Sequence, residues 1–410
     1  MPACAQDAVR GTISALMGKF LDSLPMSGIV RIRDMMYTIQ NPFRLDQGDV
    51  SFDAPDSVKQ GMAKAIQNNH THYLPTLGVP RFRQLIAEKM RTKNGIPVGS
   101  DDEVIVSNGG THGIYVALHA VLEPGDEVIC PDPLWPPSLA ITKSAHAVPV
   151  QVPLHENLGF RWDLDELEKA ITPKTKWFIF NAPSNPTGAA YSREELKKLT
   201  DVLMRHPQVW VLTDDMYEHL LFDGLEFFTI AQVEPGLYER TLTVNGLSKA
   251  YCMTGWRIGY AGGPEALIKN MCKLQSQSTS NPSSIGQWAG VEALNGPQDF
   301  IKTNAEKFRE RRDLVVSMLN QAKGIKCPKP QGAFYVYPSC AENIGKTTAA
   351  GKKITNDEDF VTALLEEEGV ATVHGAAFAM SPFFRISYAL SNKDLEEACR
   401  RIQRFCGNLR

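Results

Sequence analysis

The chain of 410 residues is 43% hydrophobic and 22% charged, which is typical of a globular protein with a large buried core. Its formal net charge is −3, from 43 basic and 46 acidic residues without a long basic run, which argues against nucleic acid or an anionic membrane as the main partner. No apolar run reaches the roughly 18 residues that span a bilayer, and the N-terminus lacks the basic-then-apolar pattern of a secretory signal.

Helix and strand signals alternate after a weakly helical N-terminal arm. The first convincing helix is predicted at Pro80–Thr92, because its apolar residues share one face. A second, at 192–205, opens with the capping box Ser192-x-x-Glu195. Short apolar runs predict strands at 103–106, 127–130, 177–180, 209–212 and 241–244. This alternation predicts an α/β fold with a mostly parallel sheet between helices, and ligands bind such sheets at the carboxyl ends of the strands.

The chain changes character in its C-terminal part. A charged helix is predicted at 297–323, and prolines then flank a short predicted strand at 333–337. The remainder alternates helix and strand in an α+β manner. We therefore expect an N-terminal arm and small-domain segment at 1–45, a large domain at 46–320 and a smaller C-terminal domain at 321–410.

The cysteines give information about the compartment. They are Cys4, Cys130, Cys252, Cys272, Cys327, Cys340, Cys399 and Cys406. Their scattered spacing, without a Cys-x-x-Cys pair, predicts reduced thiols in a cytoplasmic protein and gives no indication of zinc or another metal.

The most informative stretch, 244–260, follows a β-branched strand. Lys249 comes just after that strand, where its aliphatic stem can pack while its amine faces a cleft. Desolvation in such a place lowers the pKa of a lysine and makes it a nucleophile toward an aldehyde. Arg257, eight positions later, can supply a fixed fork for an anion such as phosphate.

Three further candidate sites follow other predicted strands: a glycine-rich turn, a tryptophan and a proline-containing loop. Gly110 and Thr111 stand at a helix N-terminus, where backbone amides and the helix dipole favour a phosphate. Trp135 follows the next strand and can stack on a flat ring. The segment 181–188 contains two X-Pro turns that hold the amide of Asn185 in the cleft.

The remaining candidates are acidic, phenolic and cationic. Asp214 closes an apolar strand, which is costly unless the carboxylate meets a cation such as a protonated ring nitrogen. We interpret its neighbour Asp215 as solvated or structural. Tyr217 offers a phenol to a ring oxygen. Arg385, between aromatic and β-branched residues, suits bidentate capture of a carboxylate.

These residue types together describe a site for pyridoxal 5′-phosphate. The cofactor needs a lysine for its aldehyde, a cradle for its phosphate, an aromatic stack, an aspartate for its pyridinium and a phenol for its ring oxygen. The additional arginine indicates an α-amino acid as the substrate.

The motifs Asn-Pro-Thr-Gly at 185–188 and Ser-Lys-x-Tyr-x-Met-Thr-Gly-Trp-Arg at 248–257 resemble those of class I/II aminotransferases of the aspartate aminotransferase superfamily, which are fold type I pyridoxal-phosphate enzymes. The resemblance extends from about residue 44 to the C-terminus. The catalytic residues that it implies are Lys249, Asp214 and Tyr217. The cofactor-binding residues that it implies are Gly110, Thr111, Trp135, Asn185, Asp214, Tyr217, Ser248, Lys249, Arg257 and Tyr73. The substrate-binding residues that it implies are Gly48, Trp135, Asn185 and Arg385.

The resemblance also implies a role for each group. Lys249 forms the Schiff base with the cofactor, Asp214 pairs with the pyridine nitrogen, and Arg385 binds the substrate α-carboxylate. Gly48 resembles the family's glycine at the substrate entrance. Tyr73 resembles a tyrosine that reaches the phosphate in the neighbouring subunit, which implies a homodimer with shared active sites.

Two departures from the family pattern concern the substrate side chain. Relatives specific for acidic substrates often read Gly-Gly-Lys-Gln where this chain has Thr111 and His112 after its two glycines. The segment 45–52 replaces the usual Gly-Glu-Pro-Asp-Phe pattern at the substrate entrance. Aspartate-like, aromatic and aliphatic donors therefore remain open, and partner-subunit residues around 278–280 could compensate for the missing lysine.

We expect reversible transamination from an L-amino acid, aspartate-like or aromatic, to a 2-oxo acid such as 2-oxoglutarate. The alternative within the same fold is a pyridoxal-phosphate-dependent C–S lyase, which shares every cofactor residue. A cofactor-binding transcription regulator is disfavoured because the N-terminal arm lacks a basic helix-turn-helix pattern. A nicotinamide dehydrogenase is disfavoured because no Gly-x-Gly-x-x-Gly follows a first strand.

Overall fold

The computed structural model describes residues 20, 24 and 28–410. Of the arm predicted at 1–45, the other residues before 28 lie outside this description. The strands are β1 Phe43–Arg44, β2 Val104–Asn108, β3 Glu127–Asp132, β4 Val148–Pro153, β5 Thr175–Asn181, β6 Trp210–Asp214, β7 Thr241–Gly246, β8 Ile258–Gly262, β9 Tyr335–Val336, β10 Val370–Ala371, β11 Val373–His374 and β12 Phe384–Ser387. The α-helices are α1 Gly28–Met36, α2 Asp56–Gln67, α3 Pro80–Thr92, α4 Gly110–Val121, α5 Pro137–Ser144, α6 Leu164–Ala170, α7 Arg193–Met204, α8 Ile230–Val233, α9 Glu265–Ser278, α10 Ser284–Asn295, α11 Asp299–Leu319, α12 Asp357–Glu368 and α13 Asn392–Asn408.

A seven-stranded sheet with the order β2-β8-β7-β6-β5-β3-β4 forms the centre of the molecule. The neighbouring pairs β4–β3, β3–β5, β5–β6 and β6–β7 are parallel, whereas β8 is antiparallel to both β7 and β2. All residues of β7 are buried, as expected for a strand that is covered on both faces. The expected α/β class with a mostly parallel sheet is confirmed.

Local sequence signals locate several elements well. Helix α3 has the predicted bounds, and α7 begins with the predicted capping box between Ser192 and Glu195. The strand predicted at 333–337 is shorter in the structure, where β9 covers only Tyr335–Val336. Ala333 lies outside it in a left-handed conformation with φ of 59°, which is incompatible with an extended strand.

The C-terminal part contains an antiparallel sheet in the order β11-β12-β9, and β10 pairs in parallel with β1 from the N-terminal segment. One hydrophobic cluster joins these elements to α1, through Ile32 and Met36, and to α11, through Phe308. Tyr217 belongs to the same cluster. The core of the C-terminal part therefore reaches the loop that follows β6.

Within the described part of the chain, no helix is long and apolar enough to cross a membrane. The same residues contain no group of three or more His, Cys, Asp or Glu side chains arranged to hold a metal ion.

Candidate active site

One cavity of about 530 Å³ lies where the carboxyl ends of the parallel strands meet the C-terminal part. Eleven of the twelve residues proposed from sequence line it, and Tyr73 does not. They are Gly48, Gly110, Thr111, Trp135, Asn185, Asp214, Tyr217, Ser248, Lys249, Arg257 and Arg385. The parallel sheet brings them together because each follows the end of a strand or lies on an element packed against that edge.

Lys249 projects into the cavity from the loop after β7. Its ammonium donates a hydrogen bond to the Gly48 carbonyl and lies 5.5 Å from the centre of the Phe334 ring. Burial lowers the pKa of Lys249 to about 8, and the nearby positive charges of Arg385 and Arg257 act in the same direction. A lysine of this pKa is partly neutral near neutral pH, as a nucleophile and a proton carrier must be.

Asp214 ends β6 and lines the same cavity as Lys249. Burial raises the pKa of Asp214 to about 6, while the amide of Met216, 3.2 Å from its Oδ1, and the Lys249 charge oppose that rise. The Asn181 side chain donates to the Asp214 backbone carbonyl at 2.9 Å and so fixes the strand end. A partly buried carboxylate held in this way favours a cationic partner.

Asp215 does not share this environment. Its carboxylate accepts hydrogen bonds from Thr213 and Thr229, both at 2.6 Å, and it is 2% exposed. Of the two interpretations, solvated or structural, the structure supports the structural one.

The end of the cavity near α4 is built to hold an anion. Helix α4 begins at Gly110, so its first backbone amides have no partner within the helix. Gly109 precedes it with a φ of 77°, and a Cβ there would collide with the guanidinium of Arg257. Arg257 itself donates to the Thr254 carbonyl at 3.0 Å. The cation and the helix N-terminus therefore lie side by side.

Arg385 is 2% exposed and has no carboxylate partner among residues 28–410. Its Nη1 donates to Asn185 Oδ1 at 3.0 Å and its Nη2 to the Asp46 carbonyl at 2.5 Å, while Nε has no partner. The guanidinium lies 4.6 Å from the centre of the Tyr335 ring. A buried, oriented cation without a counter-ion is suited to bind a carboxylate from a ligand.

Tyr217 is buried, and its hydroxyl hydrogen-bonds to that of Tyr335 at 2.9 Å. Burial raises the pKa of Tyr217 well above its usual value, and Tyr335 adds to the shift, so the phenol stays protonated and able to donate. Gly48 packs so closely against this pair that a Cβ at position 48 would collide with the Tyr335 hydroxyl.

Sequence reasoning did not assign a role to several other residues that line the cavity. They are Ile29, Val30, Arg33, Arg44, Asp46, Gln47, Asp49, Ile114, Asn181, Met216, Thr254, Gly255 and Tyr335. The signals for Asn181 and Asp46 were available, since the first is the last residue of β5 and the second lies in the atypical 45–52 segment. Nothing in the local pattern pointed to α1 or to Tyr335.

Tyr73 lies away from the cavity of its own chain and is 91% exposed. An aromatic side chain left so open to solvent is unusual for a single chain.

Residues 40–402 match the family model of class I and II aminotransferases, and the chain belongs to this family and is a transaminase. It is 55% identical to the aspartate/prephenate aminotransferase of Cereibacter sphaeroides (strain ATCC 17029 / ATH 2.4.9), over 92% of this chain and 94% of that protein. It is 58% identical to a probable aspartate/prephenate aminotransferase of Rhizobium leguminosarum bv. phaseoli, over 88% of this chain and 90% of that protein.

Experimental structures agree with these relationships. The crystal structure of the Rhizobium meliloti aspartate aminotransferase superimposes with a TM-score of 0.93 at 48% identity, covering 96% of this chain and 99% of that one. The Thermus thermophilus aspartate aminotransferase with maleate gives a TM-score of 0.88 at 36% identity, covering 95% and 99%. The names of these relatives support an aminotransferase and give no support to the C–S lyase alternative.

Proposed function

We propose that this transaminase uses pyridoxal 5′-phosphate and moves the amino group of an aspartate-like or aromatic L-amino acid to a 2-oxo acid such as 2-oxoglutarate. The observation that carries the proposal is that two partly buried groups line one cavity with opposite pKa shifts: the pKa of Lys249 is lowered and that of Asp214 is raised. The names of the relatives and the maleate, a dicarboxylate, in the Thermus structure favour acidic substrates.

The residues present fit this cofactor. The partnerless amides of α4 and the guanidinium of Arg257 suit its phosphate, together with the Ser248 hydroxyl and Thr111. The Asp214 carboxylate suits its pyridinium, because a cation there offsets the burial that raises the pKa of Asp214. When bound, the cofactor supplies an electron sink for the substrate Cα. Trp135 would stack on its ring, and Tyr217 with Asn185 would hydrogen-bond to its ring oxygen.

Each protein group then has a defined task. Arg385, held by Asn185 and Asp46, would bind the substrate α-carboxylate and orient the substrate in the cavity that Lys249 also lines. The Lys249 amine would accept the proton of the substrate Cα as general base and, once protonated, would return it as general acid. Asp214 would stabilise a positive charge on the ring nitrogen of the bound cofactor. Because donor and acceptor use the site in turn, the kinetics are ping-pong.

We also propose the division into an arm at 1–45, a large domain at 46–320 and a small domain at 321–410, in a cytoplasmic homodimer with shared active sites. The exposed ring of Tyr73 supports the dimer, since it would reach the phosphate end of the partner's cavity. The seven cysteines in the described part of the chain are free thiols, which supports a reducing compartment.

The decisive variant is Lys249→Ala, assayed with amino donors and 2-oxoglutarate, with the exposed Lys174→Ala as the matched control. We expect the first to lose turnover by several orders of magnitude and the second to be unaffected. Normal turnover by Lys249→Ala contradicts the proposal. Release of pyruvate and ammonia from an amino donor by the unsubstituted enzyme, without a 2-oxo acid acceptor, would instead support a lyase.

Subunit mixing tests the shared site. Lys249→Ala and Tyr73→Ala chains are each assayed alone and after exchange of subunits. In a mixed dimer, one cavity would combine an intact Lys249 with an intact Tyr73 from its neighbour, so activity should rise on mixing. If each chain completes its own site, mixing gives no gain.

A further inference from the structure

Tyr335 in β9 contacts three of the residues to which the sequence assigned a role. Its hydroxyl hydrogen-bonds to that of Tyr217 at 2.9 Å, and the guanidinium carbon of Arg385 lies over its ring, 4.6 Å from the ring centre. A Cβ at Gly48 would collide with the same hydroxyl. Tyr335 is 1% exposed and lines the cavity. One side chain therefore connects the phenol assigned to the cofactor with the cation assigned to the substrate.

Strand pairing places Tyr335 beside Arg385. Strands β9 and β12 are antiparallel, with Tyr335 opposite Ser387. Arg385 is two positions from Ser387 on the same strand, so it points to the same face of the sheet and is a diagonal neighbour of Tyr335. The Tyr335 ring also packs against the rings of Phe334 and Tyr217, with centres 4.7 and 5.7 Å away. This packing fixes the ring, which can therefore hold the guanidinium through a cation–π contact.

The proposed function determines the direction of the hydrogen bond between the two hydroxyls. A tyrosine hydroxyl has one proton to donate and can also accept a hydrogen bond. If Tyr217 donates its proton to the ring oxygen of the cofactor, it can only accept from Tyr335. The Tyr335 hydroxyl has no other hydrogen-bond partner within residues 28–410, so its proton is available for this bond. Hydrogen bonds in such a chain strengthen one another, and the donation from Tyr335 makes Tyr217 a better donor.

We propose that Tyr335 is a positioning residue with two separable tasks: its hydroxyl strengthens the hydrogen bond from Tyr217 to the cofactor ring oxygen, and its ring holds Arg385 in place for the substrate carboxylate. The inference rests on the proposed function and adds to it a residue that no local sequence pattern indicated. Burial raises the pKa of Tyr335, although the charge of Arg385 opposes the rise, so the phenol keeps the proton that it must donate.

Two substitutions separate the tasks. Tyr335→Phe removes the hydroxyl and keeps the ring, whereas Tyr335→Leu removes both. Tyr337→Phe is the matched control, because Tyr337 is equally buried but donates to the Met380 carbonyl at 2.9 Å and does not line the cavity. Each protein is loaded with pyridoxal phosphate, and the absorbance of the bound cofactor is titrated against pH. KM is then measured for an amino acid donor and for 2-oxoglutarate.

The two measurements should respond differently. A donor to the ring oxygen stabilises the anionic form of that oxygen and lowers the pH at which the bound cofactor loses its proton. Tyr335→Phe should therefore raise the midpoint of the absorbance titration by about half a pH unit and leave both KM values within about twofold. Tyr335→Leu should raise the midpoint equally and also raise both KM values about 3- to 30-fold, because the guanidinium loses its support. Tyr337→Phe should change neither quantity.

Three results would overturn the inference. A midpoint that Tyr335→Phe leaves unchanged, or that Tyr337→Phe moves equally, would show that the hydroxyl does not act through Tyr217. Unchanged KM values in Tyr335→Leu would show that the ring does not hold Arg385. In each case transamination itself persists and the proposed function stands. An unsubstituted protein that forms no cofactor band contradicts the proposed function, and the inference falls with it.

Discussion

Arg385 and Asn185, 200 positions apart in the chain, are joined by a 3.0 Å hydrogen bond from Nη1 to Oδ1. The bond connects β12 in the C-terminal part to the loop after β5 in the central sheet. A second donor of the same guanidinium binds the Asp46 carbonyl. The cation is therefore oriented before a substrate arrives, and little ordering cost remains when a carboxylate binds.

The first prediction concerns this preorganised fork. Arg385→Lys keeps the positive charge but loses the planar donors and leaves Asn185 without its partner. We expect KM to rise about 10- to 100-fold for amino acids and 2-oxo acids alike. Steady-state kinetics with both substrate types measure the effect. Unchanged KM values would show that the α-carboxylate binds elsewhere.

The second prediction separates two neighbouring carboxylates. Asp214→Asn removes the charge that would stabilise a ring cation, and we expect kcat to fall by at least about 100-fold. Asp215→Asn is the control, because its carboxyl bonds to Thr213 and Thr229. It should lower thermal stability while each folded molecule keeps its activity. Equal losses of kcat in both variants would argue against a direct role for Asp214.

The third prediction concerns the stability cost of Lys249. Its pKa is lowered from 10.5 to about 8 by burial, so the unfolded state holds the proton more tightly than the folded state. Lys249→Met should therefore stabilise the cofactor-free protein at pH 7 by about 1–3 kcal/mol. The destabilisation of the folded state by the Lys249 ammonium is complete below about pH 8 and disappears as the pH rises through 10.5. Denaturant unfolding of the parent and of Lys249→Met at several pH values measures the difference between their free energies of unfolding. That difference should narrow as the pH rises from about 8 to 10.5.

The fourth prediction concerns Glu218, next to Tyr217. Its buried carboxylate accepts hydrogen bonds from Lys89 at 2.5 Å, from Asn245 at 2.9 Å and from Asn94. Burial alone would raise the pKa of Glu218, but the charges of Lys89 and the adjacent histidine lower it well below its usual range.

Removing this charge leaves the Lys89 ammonium buried without a counter-ion. Glu218→Gln should therefore lose about 3–5 kcal/mol of stability at pH 7, whereas the exposed Glu194→Gln should lose almost none. Because the folded pKa is depressed, the stabilising effect is complete above the unfolded value of 4.5 and declines as the pH falls below it. Denaturant unfolding should show the gap between parent and variant narrowing in acid. A constant gap would contradict the charge-based explanation.

Much of the fold and site could be predicted because the information is local. Lys249, Asp214 and Asn185 each follow a strand whose apolar run is visible in the sequence, and parallel strands must end at one edge. The capping box of α7 and the bounds of α3 were equally local.

The contacts that could not be predicted join distant parts of the chain. Lys249 meets the Gly48 carbonyl across 201 positions, and Tyr217 meets Tyr335 across 118. No periodicity or spacing reports on such contacts, since they arise only when the C-terminal core packs against the sheet. For the same reason the sequence did not predict that Arg33 lines the cavity, because α1 reaches the cavity only through that packing.

The most direct measurement is spectral. Purified protein is loaded with pyridoxal phosphate, and single amino acids are added without an acceptor while the absorbance of the bound cofactor is followed. We predict conversion to the pyridoxamine spectrum, reversal by 2-oxoglutarate, and the largest change with aspartate. A lysine-bound cofactor band that persists with every amino acid, or that never forms on loading, would contradict the account.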